Sequence, residues 1–283
     1  MTEDNQPLNE QQVADFKKDG FVILKDFYNR ETDIEPIQHA IHKIIGILIE
    51  KYGLAITQKK FTPAVFDSGY QKLIAHDRKI GGEVYDAVKQ IPAFVRLCAH
   101  PANSQIVSQL RETDLPGIAA GGYGIRINNP NEEKFRAEWH QDYHSQLRSL
   151  DGIILWSPLM DVTADLGPVQ LSAGSHVEGA IPVYTTNPDN PAKTGAYGLT
   201  LKDKDKFISK YPVVAPLTSP SDLMVIDFMT LHASGYNMSK KSLWSMQLRY
   251  FNFRESTGIK NSWCGSYAAG VDFAKVHPEL VAS

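Results

Sequence analysis

The chain has 283 residues, of which 42% are hydrophobic and 22% are charged, and its formal net charge at pH 7 is −3. This length allows a full hydrophobic core and lies near the upper end for one domain, so we predict a single domain over 1–283. The nearly balanced charge excludes a global attraction to nucleic acid or to an anionic membrane. Neither is expected as a partner, and the sequence does not indicate an oligomeric state.

The two cysteines and the N-terminus indicate the compartment. Cys98 and Cys264 are far apart and have no metal-ligand spacing, which argues against a disulfide scaffold and against a zinc site. Residues 1–6 are polar and acidic where a secretory signal would be basic and then apolar, and no stretch approaches the length of a membrane span. We therefore expect a cytoplasmic protein.

The first third of the chain, residues 1–117, is predicted to be mostly helical. A short helix over 9–18 leads into a strand at 21–24. Between Glu31 and Tyr52 isoleucine and leucine recur every three or four residues, which indicates an amphipathic helix with one buried stripe. A further helical tract is predicted over 82–98. Its inner face is expected to carry Val84, Val88, Ile91 and Val95.

Short β-prone runs broken by Gly, Pro and Asn follow from about residue 118. The predicted strands cover 123–128, 152–160, 169–171, 213–217, 223–228 and 243–253. We predict a mainly β fold with flanking helices, a double-stranded β-helix (jelly roll, cupin-like) over 118–256 with the helical region packed outside and a C-terminal extension over 257–283. The long stretch 178–211 is expected to be a functional lid loop, with a plain surface excursion as the alternative.

Two short motifs carry the chemistry. His140-Gln141-Asp142 places an imidazole and a carboxylate two residues apart on one strand edge, and His232 follows a strand-like run ninety residues later. Two imidazoles and one carboxylate form the facial triad that holds non-haem Fe(II) and leaves coordination sites open. An isolated His-x-Asp arises by chance, but both motifs here adjoin predicted strands. We therefore predict that His140, Asp142 and His232 are the metal ligands and the catalytic residues.

In their order and separations these motifs resemble the phytanoyl-CoA dioxygenase (PhyH) family of Fe(II)- and 2-oxoglutarate-dependent oxygenases. The segments that carry the resemblance are 16–22, 139–142, 156–159, 167–169, 174–176 and 232–237. The resemblance implies a dioxygenase (hydroxylase) that uses Fe(II), O2 and 2-oxoglutarate as cosubstrate. Its implied reaction is hydroxylation of a small or medium polar organic metabolite, with release of succinate and CO2.

The resemblance also implies which residues contact the cosubstrate. Trp156 matches a tryptophan that lies beside 2-oxoglutarate in the family, and Ile125 and Arg126 match a strand that contacts it. Ser234 is expected to reach the cosubstrate as well. The family usually has an arginine eleven residues after the distal histidine, and this chain has Leu243 there.

Leu243 leaves the far carboxylate of 2-oxoglutarate without its usual cationic partner, and an unpaired charge in an apolar pocket is costly. Alternate residues of a strand share a face, so Arg249 lies on the same face as position 243. We predict that Arg249 binds the cosubstrate, with Arg126 as the second candidate and Lys241 as the third. An ion pair at the barrel rim is the alternative for Arg249. The opposite face, which is expected to pack against the helices, carries Trp244, Met246, Leu248 and Tyr250.

Two other functions stay open. Leu243 is compatible with a metal-dependent enzyme of the same fold that does not use 2-oxoglutarate, and a non-catalytic metal- or ligand-binding module is the third possibility. Arg126, Arg136 and Arg148 lie near the triad in sequence and indicate a polar or anionic substrate. His144 is expected either to touch that substrate or to be a solvated loop histidine.

Overall fold

The computed structural model describes residues 6–188, 191, 199–265 and 271–282. Its helices are α1 (Glu10–Asp19), α2 (Glu35–Lys51), α3 (Tyr70–His76), α4 (Arg78–Val88), α5 (Pro92–Cys98), α6 (Pro101–Arg111), α7 (Tyr143–Gln146), α8 (Lys204–Ile208), α9 (Ser256–Lys260) and α10 (Phe273–Val276). Its strands are β1 (Phe21–Leu24), β2 (Pro116–Ile118), β3 (Gly124–Asn128), β4 (Ile153–Pro158), β5 (Val169–Ser172), β6 (Val183–Tyr184), β7 (Thr200–Leu201), β8 (Val213–Val214), β9 (Leu223–Asp227), β10 (His232–Ser234) and β11 (Leu243–Asn252). More of the described residues lie in helices than in strands. The predicted excess of strand over helix is therefore wrong, whereas the combination of strands and flanking helices is as predicted. Within the described ranges, no helix is long and apolar enough to cross a membrane.

The first helices form where the apolar spacing predicts them. Asn9 caps α1 by accepting a hydrogen bond from Gln12 N, and Gly20 ends α1 with a φ of 75°. Glycine adopts this left-handed conformation without strain, and a Cβ there would lie 2.4 Å from Thr230 Oγ1. α2 follows a π-helical turn at Arg30–Ile34 and buries the predicted isoleucine stripe. The helix termini therefore follow local sequence signals.

The helical tract predicted over 82–98 is broken into two helices. α5 begins at Pro92, because a proline lacks the N–H that would continue α4 and its ring excludes a helical residue before it. Ile91 is accordingly extended, with a ψ of 120°. The break changes the buried face: Val84 and Ile91 are buried as expected, whereas Val95 is exposed.

The strands form antiparallel sheets. The six-stranded sheet has the order β1-β9-β4-β11-β2, with β3 also paired to β11, and the three-stranded sheet has the order β10-β5-β8. β6 and β7 pair apart from both sheets. Every pairing between these named strands is antiparallel. The fold is therefore an arrangement of antiparallel sheets with flanking helices.

Two hydrophobic clusters lie on opposite faces of the six-stranded sheet. One cluster joins the helices to alternate residues of β11, namely Trp244, Met246, Leu248 and Tyr250, as predicted. The other cluster contains Leu243 of the same strand together with Trp156 of β4 and Leu171 of the three-stranded sheet. Because side chains alternate along a strand, β11 separates a helix-covered layer from a layer between the two sheets.

The stretch 178–211 contains regular structure instead of a continuous loop. β6, β7 and α8 all lie within it, while residues 189, 190 and 192–198 are outside the described residues. The C-terminal segment packs on this stretch: Val281 forms an isolated parallel bridge with Val183, and Ala282 N donates to Val183 O at 2.8 Å. The C-terminal segment thus pairs with β6 at Val183.

Candidate metal centre

His140 and His232 are opposite residues of an antiparallel β-bridge. His140 N donates to His232 O at 3.0 Å, and His232 N donates to His140 O at 3.1 Å. Opposite residues of such a pair share a face, and the two imidazole centroids lie 4.2 Å apart. Asp142 has helical backbone and comes directly before α7. The expectation that His140 and Asp142 share a strand is therefore wrong, because the chain turns into a helix at Asp142.

The three side chains direct one ligand atom each toward a common point. Nε2 of His140 lies 3.3 Å from Asp142 Oδ1, and Nε2 of His232 lies 3.7 Å from the same oxygen. The three ligand atoms all lie within 4.8 Å of one another. Such separations suit a single ion with nitrogen and oxygen ligands at about 2 Å. Asp142 is 1% exposed and His232 is 8% exposed, so two of the ligands are buried.

Backbone carbonyls hold the other ring nitrogens of both histidines. Nδ1 of His140 lies 2.7 Å from Glu138 O, and Nδ1 of His232 lies 2.9 Å from Thr230 O. A neutral imidazole that donates from Nδ1 to a carbonyl carries its lone pair on Nε2. Both histidines are therefore prepared to bind a metal through Nε2.

The protonation states fit the same role. Burial lowers the pKa of His232 to about 4, and the neighbouring His140 adds to this effect. Burial alone would raise the pKa of Asp142, but the Arg249 guanidinium and the two imidazoles outweigh it and hold that pKa well below its ordinary value. A metal needs a neutral imidazole and an ionised carboxylate as ligands. Asp142 and His232 are in these forms at neutral pH.

Arg249 contacts the triad directly. Its Nε donates to Asp142 Oδ2 at 2.7 Å, and its terminal nitrogens donate to Gln247 Oε1 at 3.0 Å and to Gly122 O at 3.3 Å. A guanidinium has five N–H donors, so two remain beyond these three bonds. Arg249 therefore holds the carboxylate oxygen that faces away from the imidazoles and keeps donors for an anion.

A cavity of about 270 Å³ opens in front of the triad. Arg126, Trp156 and Ser234, which were predicted to contact the cosubstrate, line it together with Arg249. Lys204 of α8 also lines the cavity. No sequence motif indicated Lys204, because it belongs to the stretch interpreted as a loop.

Ile125 does not line the cavity. Its side chain is fully buried in the cluster that packs against the helices. Adjacent residues of a strand point to opposite faces, so Ile125 and Arg126 cannot both face the metal. The prediction that the Ile125 side chain contacts a cosubstrate in this cavity is therefore wrong.

Three other cationic residues also lie away from the cavity. Lys241 lines a separate groove formed with the helical region. Arg136 pairs with Glu133 at 2.6 Å. Arg148 donates to Ala120 O at 2.7 Å. Their nearness to the triad in sequence does not bring them to the cavity wall.

His144 lines the cavity but is neither solvated nor on a strand. It lies in α7, is 4% exposed, and its Nε2 lies 2.7 Å from Ile181 O. Burial lowers the pKa of His144 to about 4, so the ring is neutral at neutral pH. The expectation of a solvated loop histidine is therefore wrong.

An antiparallel fold in which two histidines and one aspartate converge, two of the three residues being buried, defines a class of protein with a non-haem metal centre. This chain belongs to the phytanoyl-CoA dioxygenase (PhyH) family, which its sequence matches over residues 16–243. The resemblance noted from the motifs is thus confirmed. The phytanoyl-CoA dioxygenase domain-containing protein 1 homolog of Dictyostelium discoideum is 24% identical over 268 residues, which cover 86% of this chain and 91% of that protein.

Solved structures have a similar fold. The non-heme alpha ketoglutarate dependent carbocyclase SnoK from nogalamycin biosynthesis superposes with a TM-score of 0.55 at 16% identity, over 92% of each chain. EctD from S. alaskensis, solved with 2-oxoglutarate and 5-hydroxyectoine, has a TM-score of 0.55 at 17% identity, over 89% of this chain and 78% of that one. At such identities the likeness shows a shared fold.

Proposed function

We propose that this chain is a non-haem Fe(II)- and 2-oxoglutarate-dependent dioxygenase that hydroxylates a small or medium polar organic metabolite, with release of succinate and CO2. The observation that carries the proposal is the convergence of His140, Asp142 and His232 on one point. Membership of the PhyH family supports it. The description of SnoK as alpha ketoglutarate dependent and the 2-oxoglutarate bound to EctD support it as well.

The donor set fits Fe(II). Two imidazole nitrogens and one carboxylate oxygen are the donors of the facial triad that binds this ion, so His140, Asp142 and His232 would hold it and would leave coordination sites open for a chelating oxo acid and for dioxygen. When bound, the ferrous ion with 2-oxoglutarate and O2 supplies the oxidising power to attack an unreactive C–H bond. The chain itself holds the ligands, orients the cosubstrate and limits the access of water.

Arg249 and Arg126 are proposed to meet the two carboxylates of 2-oxoglutarate. Arg249 donates to Asp142, one of the proposed metal ligands. It is therefore proposed to meet the carboxylate beside the keto group, because that carboxylate must reach the metal. Arg126 is paired with Ser245, and Asn128 is paired with Leu243, so Arg126 is a diagonal neighbour of Leu243 on the same face. Diagonal neighbours are about 7–8 Å apart, within reach of a long side chain. Arg126 thus substitutes for the arginine that position 243 lacks.

Trp156 and Ser234 are proposed to border the cosubstrate. Both line the cavity and are nearly buried. The Trp156 indole Nε1 has no hydrogen-bond partner among the described residues, and an unpaired buried donor is costly.

The size of the cavity supports the proposed substrate class. A volume of about 270 Å³ lies at the low end for small-molecule sites. It suits 2-oxoglutarate and a small polar substrate. Val183 and Leu201 of the β6–β7 pair line the cavity, which supports a lid function for 178–211. We propose that the two facing sheets are the two halves of a jelly roll.

Leu243 favours a second candidate, a metal-dependent enzyme of the same fold that does not use 2-oxoglutarate. Its side chain packs in the apolar cluster between the sheets and supplies no charge. Calorimetry on the metal-loaded protein separates the two candidates. Binding of 2-oxoglutarate supports the dioxygenase, and absence of binding supports the alternative.

The activity is tested by incubating the full chain with Fe(II), 2-oxoglutarate, O2 and a panel of small polar metabolites. We expect the wild type to form succinate and His140→Ala to form none, because one nitrogen ligand is lost. His39→Ala is the matched control, since His39 is exposed on α2 and does not line the cavity. Succinate formation that persists in His140→Ala would contradict the assigned metal site.

A further inference from the structure

Gln141 separates the first two metal ligands and is itself 1% exposed. Its Nε2 donates to Gly179 O at 2.8 Å and to Met229 O at 2.7 Å. Its Oε1 accepts from Ile181 N at 2.9 Å. Both amide hydrogens and the amide oxygen are thus used, in each case by a backbone group.

These three bonds join segments that are remote in sequence. Met229 lies three residues before His232, so one bond fixes the turn that carries His140 and Asp142 against the turn that leads to the third ligand. Gly179 and Ile181 begin the stretch that leads into β6. A single side chain therefore sets the spacing between the two ligand-bearing segments and anchors the start of the cavity cover.

The segment that Gln141 holds continues into residues that line the cavity. Ile181 is also bonded through its carbonyl to Nε2 of His144, at 2.7 Å. Two residues later Val183 pairs with Leu201 of β7, and both line the cavity. A change in the position of Ile181 would therefore move the part of the cavity wall that Val183 and Leu201 form.

We propose that Gln141 is a positioning residue that fixes three segments relative to one another. These are the turn with His140 and Asp142, the turn at Met229 that leads to His232, and the segment 179–181 that leads into β6. This inference rests on the proposed function, because it concerns the metal of that site. Only glutamine offers two donors and one acceptor at this reach. Asparagine is one methylene shorter, and leucine has no polar atom.

The first test is amide hydrogen exchange on the metal-free full chain. We expect the Ile181 amide to be protected in the wild type and to exchange about tenfold faster in Gln141→Leu, as for loss of one neutral hydrogen bond. Gln38→Leu is the matched control: Gln38 is also buried, and its Nε2 donates to Leu159 O at 2.8 Å in a groove apart from the triad. Ile181 exchange that is unprotected in the wild type, or equal in wild type and Gln141→Leu, overturns the proposal.

The second test is the affinity for Co(II), a redox-stable probe of the metal site, followed by its absorption. We expect the dissociation constant to rise about 10- to 100-fold in Gln141→Leu and in Gln141→Asn, as for loss of an outer-shell partner, and to stay unchanged in Gln38→Leu. Gln141→Asn preserves an amide and keeps the test available if the leucine variant does not fold. Wild-type affinity in both Gln141 variants overturns the inference.

The same titration tells the two proposals apart. A wild type that binds no Co(II), or a His232→Ala variant that binds it as tightly as the wild type, overturns the metal site and with it the proposed function. Tight binding in the wild type, with loss in His232→Ala and no effect of the Gln141 variants, overturns only the positioning role.

Discussion

The contacts of the metal centre meet at the Asp142 carboxylate. Its Oδ1 faces the two imidazoles and its Oδ2 accepts from Arg249. The convergence of His140, Asp142 and His232 was predictable, because residue type and spacing are written in short motifs. The face of Arg249 was predictable from the strand period. Its contact with Asp142 was not, because it depends on where the turn at Asp142 lies relative to β11.

Arg126 and Arg249 are proposed to meet different carboxylates of 2-oxoglutarate, so their substitutions should have different effects on ligand binding. Arg126→Leu should weaken 2-oxoglutarate binding to the metal-loaded protein about 100-fold, which corresponds to roughly 2–3 kcal/mol for a lost charged hydrogen bond, and leave Co(II) affinity unchanged. Arg249→Leu should weaken both, because it also releases Asp142. Calorimetry measures both affinities.

Lys241→Leu controls for the loss of a cation near β11, since Lys241 lines the other groove. It should leave both affinities unchanged. Loss of 2-oxoglutarate binding in Lys241→Leu but not in Arg126→Leu would reverse the assignment of the far carboxylate.

Elements were predictable where a regular period continued over several residues. The buried stripe of α2 and the two faces of β11 follow their patterns. The prediction failed at Pro92, which splits a helix, and at Asp142, where a strand was expected and α7 begins. β6 and β7 have two residues each, too few for any period to show.

The packing of the helical layer on β11 predicts a loss of stability at alkaline pH. Tyr70 of α3 is 1% exposed, and its ring lies 4.9 Å from that of Trp244. Burial raises the pKa of Tyr70 to about 12 and that of Tyr250 to about 12. In the unfolded chain a tyrosine has a pKa of about 10, so above that pH the unfolded state loses protons that the folded state keeps. The stabilisation is therefore complete below about pH 10 and is lost as the pH rises through about 12.

Each such tyrosine contributes up to about 1.4 kcal/mol per pH unit within this window. The free energy of unfolding in urea should fall between about pH 10 and about pH 12, and it should fall less steeply in Tyr70→Phe, which has no phenolic proton. An equal fall in wild type and Tyr70→Phe would show that the Tyr70 hydroxyl is not responsible.

The candidate site is assembled from distant parts of the chain. The proposed metal ligands come from 140–142 and 232, the two arginines of the cavity from β3 and β11, and part of the cavity wall from β6 and β7. The C-terminal segment adds a further layer, since the hydroxyl of Tyr143, the residue after Asp142, lies 2.5 Å from His277 Nε2. Such long-range pairs leave no local pattern, so the sequence predicted only an extension there. The family motifs predicted the residues that converge at the candidate metal centre. A cytoplasmic location stays a prediction.

His140, Asp142 and His232 are proposed to hold one ferrous ion that takes 2-oxoglutarate as a chelating ligand. Anaerobic titration of the full chain with Fe(II) in the presence of 2-oxoglutarate tests it directly, because this chelate has a visible charge-transfer absorption. We predict that the band appears in the wild type, saturates at one ion per chain and is absent in Asp142→Ala. A wild type without the band, or an Asp142→Ala variant with the same band, would contradict the claim.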